Sequence, residues 1–351
     1  MNNFIQRLGI RNPIIQSPMA GVSTPALVAA VSDAGGLGSV AIGHLGPDAA
    51  RSAIEAVRKL VKGPFNVNVF CHRPARRDAN KEAKWLHHLT PLFQAFHSEP
   101  PQLLREIYRS YVADKALQEV IHEECPAVVS FHFGLPSANH IRELQARGSC
   151  ILATVTNLSE VVLAEQAGVD AIVAQGYEAG GHRGVFEPES EDEKLSTLEL
   201  TGKLSQHTNL PIIAAGGIMD ARDVTAAISS GASAVQVGTA FLLCHEVSLD
   251  PGYSAAIRDV SNRRTTMTRA ISGRPARSVV NDFTKFGDTI ASTNTIPDYP
   301  VAYDAGKSLR IAAEAAGNQQ FGAQWAGVGA TKCEAIPARE VIARMVADLP
   351  T

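Results

Sequence analysis

Short apolar runs recur along the chain at residues 13–17, 37–42, 65–70, 127–132, 150–155, 169–174, 210–215 and 234–237. Several of them lack polar–apolar alternation, which is the pattern of parallel strands covered on both faces. Between these runs the spacing of apolar residues turns helical. Thr24 can cap a helix that carries Pro25 at its first position and runs to about residue 34. Further helices are predicted from Pro47 or Asp48 to residue 61, and over 137–147, 158–167 and 338–347. Eight strands separated mostly by helices predict an α/β fold, a (β/α)8 barrel of the TIM type. A doubly wound open sheet is the alternative. The run Gly36-Leu37-Gly38-Ser39-Val40-Ala41 does match the dinucleotide pattern GxGxxA. It follows a helix and opens a strand, however, the reverse of the context such a site needs.

Two stretches exceed a minimal barrel. Residues 74–123 are polar and helical in pattern, with Trp85, Leu86, Leu89, Leu92 and Phe93 at helical spacing, and read as a helical insertion. Residues 246–336 carry few strand signals and are expected to return as helices and loops over the barrel mouth. The organisation predicted is therefore a barrel core over 1–245, a substrate-side extension over 246–336 and a closing helix within 337–351 that packs on the barrel.

Composition narrows the functional classes. Of 351 residues, 45% are hydrophobic and 19% charged, enough for a full core. The net charge of −3 supplies no basic surface for nucleic acid. No apolar run approaches the ~20 residues of a membrane span, and residues 1–8 lack the apolar core of a signal peptide. The five cysteines are odd in number and form no CxxC pair, so reduced thiols in a cytoplasmic protein are expected. No HxH or HExxH spacing appears, and no metal is expected. His87, His88, His97 and His122 fall on the insertion and are expected to face solvent. No interface signature is visible, which leaves a monomer or a homodimer.

In a barrel, chemistry gathers at the C-terminal ends of the strands. Those positions hold Pro18, Met19 and Ala20 after the first strand, Asn68 on the third, His132 on the fourth and Gln175 after the sixth. Gly216-Gly217 follows the seventh strand, and Gln236, Gly238 and Thr239 end the eighth. Glycines after the last two strands let the backbone approach a ligand closely, and this is the usual phosphate site of such barrels. A flavin mononucleotide phosphate or a sugar phosphate would fit. The sharpest local feature is Gly180-Gly181-His182-Arg183-Gly184. A histidine in a glycine-rich loop past a strand end is poorly explained by packing, and an imidazole there can take a proton or donate a hydrogen bond to a developing anion. Glu178 competes as a base, with helix capping or pairing to Arg183 as the plain alternatives.

These residues resemble one family. Gln16 to Val22 with Ala34 to Gly38, then Phe131-His132-Phe133-Gly134-Leu135-Pro136, then Ala153 to Val155 with Gln175 to Gly184, then Gly231 to Leu242 are similar to four successive motifs of class I nitronate monooxygenases, formerly called 2-nitropropane dioxygenases. The resemblance spans residues 13–245 and continues more weakly to the end. It implies an FMN-dependent barrel enzyme that oxidises alkyl nitronates, of the propionate 3-nitronate type, with molecular oxygen. Products would be the carbonyl compound with nitrite or nitrate. By the same resemblance His182 matches the active-site histidine, and Met19, Asn68, Gln175, Gly180, Gly217, Gly238 and Thr239 match flavin-contacting positions, beside Pro18, Ala20, Gly181, Gly216 and Gln236. His132, Tyr299, Tyr303 and Lys307 would line the substrate side, the last three on one face if that stretch is helical. Trp325 and Gly327 would lie against the flavin.

Three rivals share parts of this pattern. One is an FMN- and NAD(P)H-dependent quinone or enoyl-acyl-carrier-protein reductase. Another is a flavin-free lyase or isomerase of sugar phosphates. The third is a non-catalytic flavin sensor.

Overall fold

A computed structural model describes residues 3–259 and 264–349. Its strands are β1 (Ile14–Gln16), β2 (Ser39–Ala41), β3 (Asn66–Phe70), β4 (Val128–His132), β5 (Cys150–Val155), β6 (Ala171–Gln175), β7 (Gly181–His182), β8 (Ile212–Ala215), β9 (Ala234–Val237), β10 (Thr265–Thr268) and β11 (Ala276–Val279). The helices are α1 (Asn3–Leu8), α2 (Pro25–Asp33), α3 (Pro47–Leu60), α4 (Ala79–Ala95), α5 (Lys115–Glu124), α6 (Ala138–Ala146), α7 (Leu158–Ala167), α8 (Thr197–Ser205), α9 (Ala221–Ser229), α10 (Pro251–Arg258), α11 (Asp282–Ile290), α12 (Val301–Ala315) and α13 (Ala338–Met345).

Eight of the strands pair in parallel in the order β1-β9-β8-β6-β5-β4-β3-β2. A bridge from Ile15 to Leu37 closes the ring, with Leu37 N donating to the Ile14 carbonyl and Gln16 N to the Leu37 carbonyl, each at 2.9 Å. The predicted barrel is therefore present, and each of its strands begins and ends within two residues of its apolar run. Side chains at alternate positions fill the interior. Ile15, Leu152, Val173 and Ile213 form one buried cluster with Phe4, Ile5 and Leu8 of α1, so the N-terminal helix plugs the barrel. The first ring helix starts as its sequence dictates: Thr24 Oγ1 accepts from Leu27 N at 3.0 Å and Pro25 occupies the first turn.

The segment between β3 and β4 divides in two. Trp85, Leu89 and Phe93 of α4 are buried against Phe283, Val301 and Leu309 of the extension. Each such burial contributes about 1.5–3 kcal/mol. Leu117, Val120 and Ile121 of α5 instead join the barrel core beside Ile54 and Val57 of α3. At the other end, α13 contributes Val341, Ile342 and Met345 to the cluster that holds Leu27 and Val31 of α2 and Val224 of α9. The final helix thus fills the ring position between α9 and α2, and the extension is an insertion between β9 and that helix.

The extension contains strands that its sequence did not announce. β10 and β11 are antiparallel, and β11 pairs in turn with β7, Ala276 opposite His182 and Arg277 opposite Gly181. Among the described residues, no helix is long and apolar enough to cross a membrane.

Candidate active site

The C-terminal mouth of the barrel opens into a cavity of ≈ 360 Å³ roofed by the extension. Pro18, Met19 and Ala20 line one side, and Asn68 and His132 rise from β3 and β4. Gln175, Gly180, Gly181 and His182 come from the segment around β6 and β7. Gly216, Gly217, Gln236, Gly238 and Thr239 form the margin at β8 and β9. Tyr299, Tyr303, Lys307 and Trp325 descend from the extension. All of the predicted site residues except Gly327 therefore meet in one cavity.

Gly327 sits one layer behind. Its backbone N donates to Thr239 Oγ1 at 3.0 Å, and its backbone lies so close to Gly180 that a Cβ there would stand 2.4 Å from Gly327 N. Gly180 is thus the point where the extension is seated on the barrel loop.

The β8 margin is built closely around two glycines. Gly216 and Gly217 hold φ at +128° and +70°, values that side chains disfavour. A Cβ on Gly216 would stand 2.7 Å from Thr197 Oγ1. Glu178 explains part of this fold: its Oε2 accepts from Thr197 N at 2.9 Å and Oγ1 at 3.1 Å. It caps the start of α8, does not line the cavity and does not pair with Arg183. Arg183 is instead buried against Asp192, with Nε and Nη2 donating at 2.8 and 3.0 Å, and its Nη1 donates to the carbonyls of Gln175 and Gly176 at 2.7 and 3.0 Å. That clamp holds the glycine-rich loop after β6.

His182 is fixed from several sides. Its Nε2 lies 2.8 Å from Ser272 Oγ, and its carbonyl accepts from Gln175 Nε2 at 2.9 Å. Its ring packs at 5.0 Å from Trp325 and at 5.5 Å from both Phe133 and Tyr299. Burial pushes its pKa down to about 3, helped by His132, Arg274 and His72. Burial and Arg274 push His132 to about 3 as well. Both imidazoles are neutral at physiological pH. Phe133 carries a left-handed φ of +72°, a strain that positions its ring between His182 and the Arg274 guanidinium, which stacks at 4.3 Å.

The extension contributes an aromatic wall and a cationic rim. Tyr299 lies just ahead of α12, and Tyr303 and Lys307 lie within it. The three do not share one helix face over their whole span, yet Tyr299 and Tyr303 converge at 6.4 Å. Lys307 Nζ lies 5.0 Å from the Tyr108 ring centre and 5.5 Å from that of Tyr303. Burial and Arg310 lower its pKa.

Sequence reasoning missed Tyr108, His44, Ser272 and Arg274. Tyr108 lies in an irregular stretch after α4 and His44 in a turn after β2, with no motif at either place. Ser272 and Arg274 follow β10, a strand the sequence did not reveal. His87 and His97 are exposed as predicted; His88 and His122 are half-buried.

The cavity thus brings His182, the glycine margin at β8 and β9 and the tyrosines of the extension together around one space. Comparison with known proteins bears on its use. The family model for nitronate monooxygenase matches residues 2–348. The chain belongs to the nitronate monooxygenase family. It is 53% identical over 342 residues to the nitronate monooxygenase of Paraburkholderia phytofirmans, covering 97% of this chain and 93% of that one. It is 50% identical over 349 residues to the nitronate monooxygenase of Pseudomonas aeruginosa, covering 99% of both. Among solved structures it is similar to nitroalkane oxidase from Streptomyces ansochromogenes, with a TM-score of 0.87 and 35% identity over 97% of this chain and 96% of that one. Nitronate monooxygenases of this family span nearly the same length as the present chain, so barrel and extension are both covered by the match.

Proposed function

We propose that this enzyme is a flavin-dependent nitronate monooxygenase that holds FMN and oxidises small alkyl nitronates of the propionate 3-nitronate type with O2. The observation that carries the reading is the juxtaposition, in one cavity, of neutral His182 with the glycine margin at β8 and β9. Gly216, Gly217, Gly238 and Thr239 would hold the phosphate; Asn68, Gln175 and Trp325 would border the ring system. Bound flavin supplies the electron-accepting chemistry that no side chain here possesses.

The protein's own part is binding and charge placement. A nitronate is already a carbanion equivalent, so no strong base is required. His182, neutral and oriented by Ser272, offers a hydrogen bond to the nitro oxygens without adding a fixed charge. Lys307 supplies positive charge at the rim for an anionic substrate end. The apolar surfaces of Phe133, Tyr299 and Trp325 exclude water around the reacting carbon.

The phosphate cradle gives a direct test. Gly217→Val places a branched side chain at φ +70°, 3.2 Å from Glu178 Cβ at its first atom. Strain of about 1–3 kcal/mol follows. Titration should show FMN bound at least ~10-fold more weakly, with riboflavin, which lacks the phosphate, much less affected. Equal losses for FMN and riboflavin would remove the phosphate from this margin.

A further inference from the structure

Away from the cavity, three side chains on two ring helices converge. His122 lies near the end of α5; His140 and Glu143 lie one turn apart on α6. A ligand atom from each stands within 4.8 Å of the other two. Glu143 Oε2 is 3.8 Å from His122 Nε2 and 3.7 Å from His140 Nδ1. The two imidazole rings are 5.1 Å apart. These separations exceed hydrogen-bond lengths, so the groups face one another without bonding.

We propose that His122, His140 and Glu143 form a binding site for a divalent transition-metal ion of the zinc class. Two imidazoles and one carboxylate are the donor set of a three-ligand zinc site with a position left for water. Tetrahedral ligation at about 2.0–2.1 Å needs ligand atoms about 3.4 Å apart. The two edges to Glu143, at 3.7 and 3.8 Å, require closure by a few tenths of an ångström, and the edge between the imidazole nitrogens, within 4.8 Å, closes by rotation of the half-buried His122. Glu143, 61% exposed, is free to supply it by a small side-chain rotation.

The surroundings orient these ligands. His140 Nε2 is 2.7 Å from the hydroxyl of Tyr111, a side chain buried beside Phe131. That contact fixes the ring so that Nδ1 faces Glu143, the outer-sphere arrangement that metal-binding histidines use. Of the neighbouring cations, Lys115 is bonded to Gln118 Oε1 at 3.3 Å, and Arg147 Nη1 donates to the His122 carbonyl at 3.2 Å. The residue spacing, eighteen positions and then three, matches no short metal motif, because packing of α5 beside α6 creates the cluster. An ion there would tie together the two helices that flank β4 in sequence.

The test uses the flavin-loaded full-length protein, stripped with EDTA and titrated with ZnCl2 by calorimetry and with CoCl2 by visible absorption. One saturable equivalent, tetrahedral cobalt bands and a melting-temperature rise of about 3–5 °C at saturating zinc are expected. Glu143→Gln and His122→Gln, both at partly or fully exposed positions, should abolish all three. Tyr111→Phe should weaken zinc binding by about 10-fold. Absence of saturable binding by the unaltered protein would overturn the proposal. Undiminished binding in Glu143→Gln and His122→Gln would overturn it too, by placing the metal elsewhere, such as at His132 and His182.

Discussion

Replacing His182 with Asn is expected to leave flavin bound and to lower turnover of a neutral nitroalkane by about 10²–10⁴-fold, the usual contribution of a positioned base. Oxidation of the preformed nitronate should fall only about 10-fold, the value of one hydrogen bond to a charged group. The split follows from the imidazole's state. With a pKa near 3 in the free enzyme, His182 is a weak base until an anion forms beside it. Proton removal from a nitroalkane creates that anion, and the resulting ion pair raises the imidazole pKa in the complex. A nitronate needs no proton removed and uses the ring only as a donor. Steady-state oxygen consumption with both forms of one nitroalkane measures the split. Equal losses on the two substrates would reduce His182 to a binding group.

The second large effect is on stability in mild acid. Burial holds His72 and His44 near pKa 4, and His132 and His182 near 3, against 6.5 for an unperturbed imidazole. The folded pKa values are depressed, so below pH 6.5 the unfolded chain takes up protons that the native state refuses. Stability is complete above pH 6.5 and falls as pH drops toward 4, by up to about 1.4 kcal/mol per pH unit for each fully buried histidine. The melting temperature should fall by about 10 °C between pH 7.5 and pH 5. The double variant His132→Gln with His72→Gln should flatten that dependence. A melting temperature unchanged down to pH 5 would mean that these imidazoles are protonated and solvated.

Much of this architecture was legible from residue order. Parallel barrel strands are buried on both faces, so several appear as apolar runs without alternation, and Thr24-Pro25 marks a helix start by its own chemistry. The glycine-rich loop around His182 stands out in the sequence by its composition, and the close approaches of Gly180 to Gly327 and of Gly184 to Thr154 account for its glycines. The rest was invisible for physical reasons. β7 is two residues long, too short for any period; its partner β11 is half polar, and β10 beyond it holds three threonines in four residues. Arg274 and Ser272 reach His182 only through that small sheet. Tyr108 is brought to the rim because α4 buries Trp85, Leu89 and Phe93 against the extension, a long-range packing event with no local signature. The ring position of α13 depends likewise on contacts with α2, some three hundred residues earlier.

Nitronate oxidation through bound flavin is tested by oxygen uptake of the yellow, FMN-loaded protein, with propionate 3-nitronate and with NADH in separate cells. Fast uptake with the nitronate and none with NADH is expected. Rapid flavin bleaching by NADH beside an idle nitronate cell would contradict it, and would make the cavity that of a reductase in which His182 serves another substrate.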